Sequence, residues 1–183
     1  MLDGAFDSTG RVMAGVEADQ LGAPTPCSEW DVRALVNHTT SVVARMRFAA
    51  ARAAGTPGLE DDDFVRSDPG PIFQRIAAAT LAAWAEPGAL DGSCALPNGR
   101  EVPADVAARV NVVDTLVHGW DLAVATGQDP TIDPALASAA LEFSHAFVTD
   151  ELRGSGRPFR APIESTAAAS PSDELVAFLG RRP

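Results

Sequence analysis

The 183-residue chain contains no lysine and no tyrosine, and it has only two cysteines, Cys27 and Cys94. Two thiols so far apart make neither a disulfide framework nor a zinc ribbon. No apolar run reaches bilayer-spanning length, and the opening MLDGAFDSTG lacks the basic-then-apolar layout of a signal peptide. Positive charge is scarce as well: 14 basic residues, all arginine, stand against 25 acidic ones, for a net charge of -11. Such a surface argues against nucleic acid, whose binding rests on neutralising phosphates, and against anionic membranes. No phosphate-cradling glycine loop, nucleophile elbow or dinucleotide fingerprint occurs. The expectation is a soluble cytoplasmic protein whose partners are neither nucleic acid nor membrane.

What is present is helical patterning. Hydrophobic residues make up 46% of the chain, enough for one domain, residues 1–183, with a sizeable core. The chain is arranged around Ala104 to Thr126, which carries two stripes at helical spacing. One is apolar: Val106, Val110, Val113, Val117, Trp120 and Val124. The other, one residue further on, is Ala107, Asn111, Asp114, His118, Asp121 and Ala125. One residue is about 100° around a helix, so the polar stripe flanks the core seam and does not lie opposite it. Asp114 and His118, at i and i+4, share a face. The ordinary reading of such a pair is a hydrogen bond or a helix salt bridge; the sharper one is two ligands to a metal ion.

The rest of the chain supplies elements to pack on this helix. Leu2 to Leu21 predicts an amphipathic helix with Phe6, Val12, Met13, Val16 and Leu21 inward, stopped by GAPTP at residues 22–26. Ser28 as N-cap and Asp31 as its capping-box partner, with Glu29 also suiting the helix dipole, start a second helix that runs to Ala54. Its apolar positions are Val32, Leu35, Val36, Val42, Val43 and Met46. His38 falls on that same side, where a lone histidine is ordinarily a satisfied core residue, and Asn37 beside it reads as an exposed or capping neighbour. Gly55 to Pro71 reads as a loop, and its acidic run Glu60 to Asp63 as a solvated patch without calcium-loop spacing. A third helix spans Ile72 to Glu86, with Ile72, Phe73, Ile76, Leu81 and Trp84 for the core. Ser93 to Val102 is a hairpin turning at Asn98-Gly99, and Pro103 opens the central helix. Asp133 and Pro134 begin a further helix with Leu136, Ala140, Phe143 and Phe147 on its apolar face, Leu141 and Val148 at its margin, and His145 assigned to no face. Gly154 to Ser170 is extended, laid across the bundle through Phe159 and Ile163. Pro171 to Gly180 closes with a short helix carrying Leu175, Val176, Phe178 and Leu179.

The fold class expected is therefore all-α, an antiparallel four-helix bundle with a small β-hairpin insert and an extended C-terminal tail ending in a short helix. In that architecture His38 can face Asp114 and His118 across the core. Two histidines and one carboxylate leave coordination positions open, as catalytic zinc sites do; nickel and iron are compatible with the same set. Asp121, one turn beyond His118, is placed to orient it as a hydrogen-bond acceptor, or else to bond within the helix or to an arginine. Trp120 reads as core, and Arg45 and Arg109 read as surface residues that could face an anionic substrate. Cys27, ahead of the second helix, is where a helix dipole could activate a thiol, but a small buried hydrophobe is the simpler reading.

PTPCSEWDVRALVNHTT, VVDTLVHGWDLAVATGQ, ELRGSGRPFR and PSDELVAFLGRRP together resemble an actinobacterial family of metal-binding proteins in the DinB-like superfamily. That family is related to the N-terminal domain of mycothiol-dependent maleylpyruvate isomerase. The resemblance implies a helical bundle with a divalent metal, zinc first, held by His38, Asp114 and His118. It implies as well a mycothiol-dependent thiol transferase or isomerase that takes a small thiol or electrophile. The isomerase carries glutamate at the place of Asp114, and it has a second domain for which this chain leaves no room, so isomerisation itself is the less expected activity. The competing expectation is a metal-binding or small-ligand-binding module without turnover. Apolar residues on outer helix faces would allow a homodimer.

Overall fold

Acidic caps and prolines fix where the helices begin. In the structure, a computed structural model that describes residues 1–28, 30–53, 63–65, 68–166 and 168–183, the first helix, α1, spans Leu2–Ala14. A short 3-10 turn, Ala18–Gln20, follows it, closed by a reciprocal Glu17–Gln20 capping box. The sequence expectation ran α1 on to Leu21; Gly15 ends it sooner, and Val16 and Leu21 pack from outside the helix, half-buried. The second helix, α2, is Val32–Ala50. Its N-cap is Asp31, whose carboxylate accepts the Ala34 N–H at 2.8 Å, so Ser28 is not the cap and the helix starts later than expected. Glu29 lies outside the described residues, as do Glu60 to Asp62 of the acidic run and most of the expected loop.

The third helix, α3, is Pro69–Ala85, begun by Asp68, which accepts the Gly70 N–H, and by proline in the first turn. That start is three residues before the expected Ile72, because a proline needs no N–H partner there. The hairpin pairs β1, Ser93–Ala95, antiparallel with β2, Glu101–Pro103. It leads directly into α4, Ala104–Thr126, which has the expected bounds and stops at Gly127 in the left-handed conformation (φ 69°).

Contacts divide the described chain into two compact units, Met1–Asp129 and Pro130–Pro183. In the first, α1 packs on α3 and α4, and α2 packs on the same two helices, closing a ring of four contacts. This is a helical bundle with a hairpin insert. Its main core joins Phe6, Met13, Val32, Leu35, Val36, Val43, Phe73 and Leu122. Burying each such side chain contributes roughly 1.5–3 kcal/mol. A second cluster seats the hairpin: Cys94, Leu96 and Val102 pack with Met46, Trp84 and Ala107.

The burial of α4 departs from the seam read off its sequence. Val124 is 42% exposed, and Val106 and Val110 are only half-buried, while Asn111 and Asp121 are fully buried. Every residue from Asn111 to Ala123 except half-buried Asp114 is buried, so no single stripe faces the core there. Close approach explains why small and polar residues lie inside. A Cβ on Gly119 would overlap the Thr9 side chain of α1, and the Thr9 hydroxyl donates to the Thr115 carbonyl at 2.9 Å. α1 and α4 therefore meet nearly backbone to backbone.

The second unit pairs α5, Pro134–Phe147, with α6, Pro171–Phe178. Asp133 caps α5 as expected, accepting from Ala135 and Leu136, and a Ser170–Asp173 capping box starts α6. A 3-10 turn, Asp150–Leu152, follows α5, and the Ile163 N–H donates to the Ala177 carbonyl. Arg153 donates to the Arg160 and Phe178 carbonyls and lies 4.6 Å from the centre of the Phe178 ring. No helix of the described residues is long and apolar enough to cross a membrane.

Candidate metal centre

The site begins with two helix positions. The Asp31 cap sets the phase of α2 so that His38 turns inward beside fully buried Leu35 and Thr39. On α4, Asp114 and His118 stand one turn apart on the face toward α2, and one ligand atom from each of His38, Asp114 and His118 lies within 4.8 Å of the other two. A tetrahedral zinc site with nitrogen and oxygen ligands would hold its ligand atoms about 3.3–3.6 Å apart. Closing by about an ångström is within the reach of small χ adjustments.

Each side chain is prepared for that role. The His118 ring, 8% exposed, has Nδ1 at 3.1 Å from Asp121 Oδ2 and Nε2 at 3.7 Å from Asp114 Oδ1. With the proton on Nδ1, that nitrogen donates to the buried Asp121 carboxylate and Nε2 is left toward Asp114. His38 approaches edge-on, its ring 5.1 Å from that of His118 at 86°. Burial pushes the His38 pKa below its ordinary 6.5; the Asp114 charge opposes this, and His118 and Arg45 reinforce it. His38 is therefore a neutral imidazole at pH 7, the state a ligand needs. Asp114 Oδ2 is buried with no hydrogen-bond partner among the described residues. An orphaned carboxylate oxygen is costly unless a cation meets it, so the donor set fits a divalent ion.

The wall of the site comes from a loop that helical periodicity does not register. Thr25, 8% exposed, donates to the carbonyls of Cys27 (3.0 Å) and Trp30 (2.8 Å), and the Trp30 N–H returns to the Cys27 carbonyl at 2.8 Å. Pro24 bridges to Asp31 at the base. The closed loop lays Trp30 on His38, ring centres 4.1 Å apart at 33°, and 5.7 Å from His118. It also sets Cys27, half-buried, against His118 and Asp121: their ligand atoms too lie within 4.8 Å of one another. Cys27 is neither a fully buried hydrophobe nor at a helix start, because α2 begins five residues later.

The remaining expectations separate cleanly. Trp120 is core, 4% exposed. Asn37 is no idle neighbour: its amide ties the chain at residues 63–64, donating to Asp63 and accepting the Phe64 N–H at 2.8 Å. Arg109 is a surface residue in an i,i+4 contact with Asp105 at 3.9 Å. Arg45 is half-buried, donates to Ser41, and lines a cavity of about 370 Å³ with Phe48, Leu96 and Glu101. His145 belongs to the second unit, its ring 4.2 Å from that of Phe178.

Residues 2–123, which include every side chain of this site, match the family model of the mycothiol maleylpyruvate isomerase N-terminal domain. The chain belongs to this family. Two Mycobacterium tuberculosis proteins, the uncharacterized proteins MT0763 and Rv0738, are each 38% identical to it over 97% of this chain and 93% of their own length. Among solved structures, a histidine-to-alanine mutant of the mycothiol-dependent maleylpyruvate isomerase superposes with a TM-score of 0.58 at 17% identity. That match covers 76% of this chain and 65% of the isomerase chain. A second structure of the isomerase gives a TM-score of 0.51 at 18% identity, over 66% of this chain and 58% of that one. At these identities the likeness is one of fold.

Proposed function

We propose that this chain holds a divalent ion, zinc in the first place with nickel or iron compatible, through His38, Asp114 and His118. We propose further that it uses the site to act on mycothiol or a similar small thiol, as a thiol transferase or an isomerase. One observation carries the reading: two imidazoles and a carboxylate with an orphaned oxygen converge from two helices. Membership of the mycothiol isomerase family supports the thiol as co-substrate. When bound, such an ion supplies Lewis acidity, lowering the pKa of a coordinated thiol or water toward neutrality.

The chain's own residues do the rest. Asp121 hydrogen-bonds the Nδ1 edge of His118 and so keeps Nε2 directed at the site. Trp30 covers His38 and excludes water from one side of it. Arg45, close enough to act on the charge of His38, gives an anionic electrophile a cation to approach in a protein whose net charge is otherwise -11.

Metal analysis of protein purified without a histidine tag tests the first half. The reading requires well over about a third of an equivalent of bound metal, since a three-ligand site retains zinc through purification. His38→Ala and Asp114→Ala should each lose it; full metal content in either variant would refute the ligand assignment. Consumption of mycothiol with an electrophile panel by the zinc-loaded protein tests the second half, and no consumption across the panel would leave a binding module.

A further inference from the structure

We infer that Cys27, His118 and Asp121 form a second ligand set, which takes a soft, thiophilic metal ion on the opposite edge of the His118 ring from His38 and Asp114. The two triads share His118 alone. Asp121 meets the ring at Nδ1, 3.1 Å away, whereas Asp114 is nearest to Nε2. Cys27 Sγ lies within 4.8 Å of a ring nitrogen of His118 and a carboxylate oxygen of Asp121, on a half-buried residue whose loop is closed by the Thr25 hydroxyl against the Cys27 and Trp30 carbonyls. Asp121 is fully buried, which keeps its carboxylate beside the His118 ring.

A neutral imidazole offers one lone pair, so one ion occupies one set or the other. With Nδ1 protonated the His38 side is competent. An ion at Cys27 requires the proton on Nε2, where the Asp114 carboxylate faces it, and releases the Cys27 thiol proton to solvent. Ligand softness then decides. A thiolate favours soft ions, whereas two imidazoles and a carboxylate accept harder ones such as nickel. The structure thus provides two alternative seats around a single histidine, sorted by the chemistry of the ion.

The test is a cadmium titration of the full chain, stripped of metal by chelation, followed by thiolate-to-cadmium charge-transfer absorption. One band per bound ion is expected in the wild type, in Cys94→Ser, in His38→Ala and in Asp114→Ala. In Cys27→Ser the band should vanish and cadmium affinity fall by about tenfold or more. Should Cys27→Ser fail to fold, peptide-mapped alkylation of the wild type decides instead: bound cadmium should protect Cys27, and bound magnesium should not. Cadmium bound without a thiolate band, a band that survives Cys27→Ser, or unchanged alkylation of Cys27 would each overturn the inference. Nickel separates this outcome from that of the centre proposed above. It should bind wild type and Cys27→Ser alike and be lost in His38→Ala; if nickel fails that pattern, the His38 centre falls while the cadmium result still stands or falls by itself.

Discussion

Asp121→Asn isolates the one residue whose purpose is hardest to explain without a ligand. Asp121 is fully buried, a costly place for a carboxylate, and its Oδ2 lies 3.1 Å from His118 Nδ1. Asparagine keeps the shape and removes the charge. Carboxylates that orient metal-bound imidazoles are worth roughly 10–100-fold in affinity, which is about 1.4–2.7 kcal/mol. With the ion supplied at about a thousand times its Kd, binding adds about 4.1 kcal/mol to folding stability, and a variant binding a hundredfold more weakly retains about 1.4 kcal/mol. For a chain of this size the difference lowers the metal-loaded Tm by about 5–10 °C. Without metal the Tm difference between the two proteins should be smaller than with metal, because asparagine keeps the side-chain volume and its Oδ1 can still accept from His118 Nδ1. Thermal melts with and without zinc or nickel, beside a chelator competition for affinity, measure both quantities. An affinity equal to wild type, or the same loss of Tm in metal-free and metal-loaded protein, would show that Asp121 serves packing and not the site.

His38 should make the metal-free protein acid-sensitive. Its folded pKa lies below the ordinary 6.5, so the unfolded chain takes the proton at higher pH, and its stability contribution is complete above about pH 6.5 and lost as pH falls below that. The Tm should therefore drop more between about pH 7 and pH 5 in wild type than in His38→Gln, and parallel curves would contradict the burial argument. Burial also raises the Cys94 thiol above its ordinary 9.0, so iodoacetamide should modify half-buried Cys27 well before Cys94, as peptide mapping would read; the reverse order would mean the hairpin does not cover Cys94. Gly119→Ala drives a methyl into Thr9 and strains its bond to Thr115, which should cost about 1–3 kcal/mol in denaturant unfolding; a neutral result would mean that α1 and α4 stand further apart.

These outcomes rest on features that were unequally visible beforehand. The bounds of α4 were legible because Pro103 and Gly127 punctuate it, and the Asp114–His118 pairing because side chains four apart on a helix must share a face. The buried face of α4 was not legible. Hydrophobicity pointed to Val106, Val110 and Val124, but α1 approaches α4 closely at Gly119, Asn111 and Thr115 lie fully buried, and the polar stripe became part of the interior. The start of α2 was missed because Ser28 and Asp31 are both good caps, and local propensity does not choose between them. The hydrogen bonds of the loop itself do: the Thr25 hydroxyl meets the Cys27 and Trp30 carbonyls, and Asp31 takes the cap. That choice also built the site's wall. Had Ser28 capped the helix, residues 29–31 would be its first turn, with Trp30 carried on the helix and not on a loop folded over His38. Periodicity therefore named the ligands, which ride on helices, and passed over Trp30 and Cys27, whose positions depend on one threonine hydroxyl reaching two carbonyls.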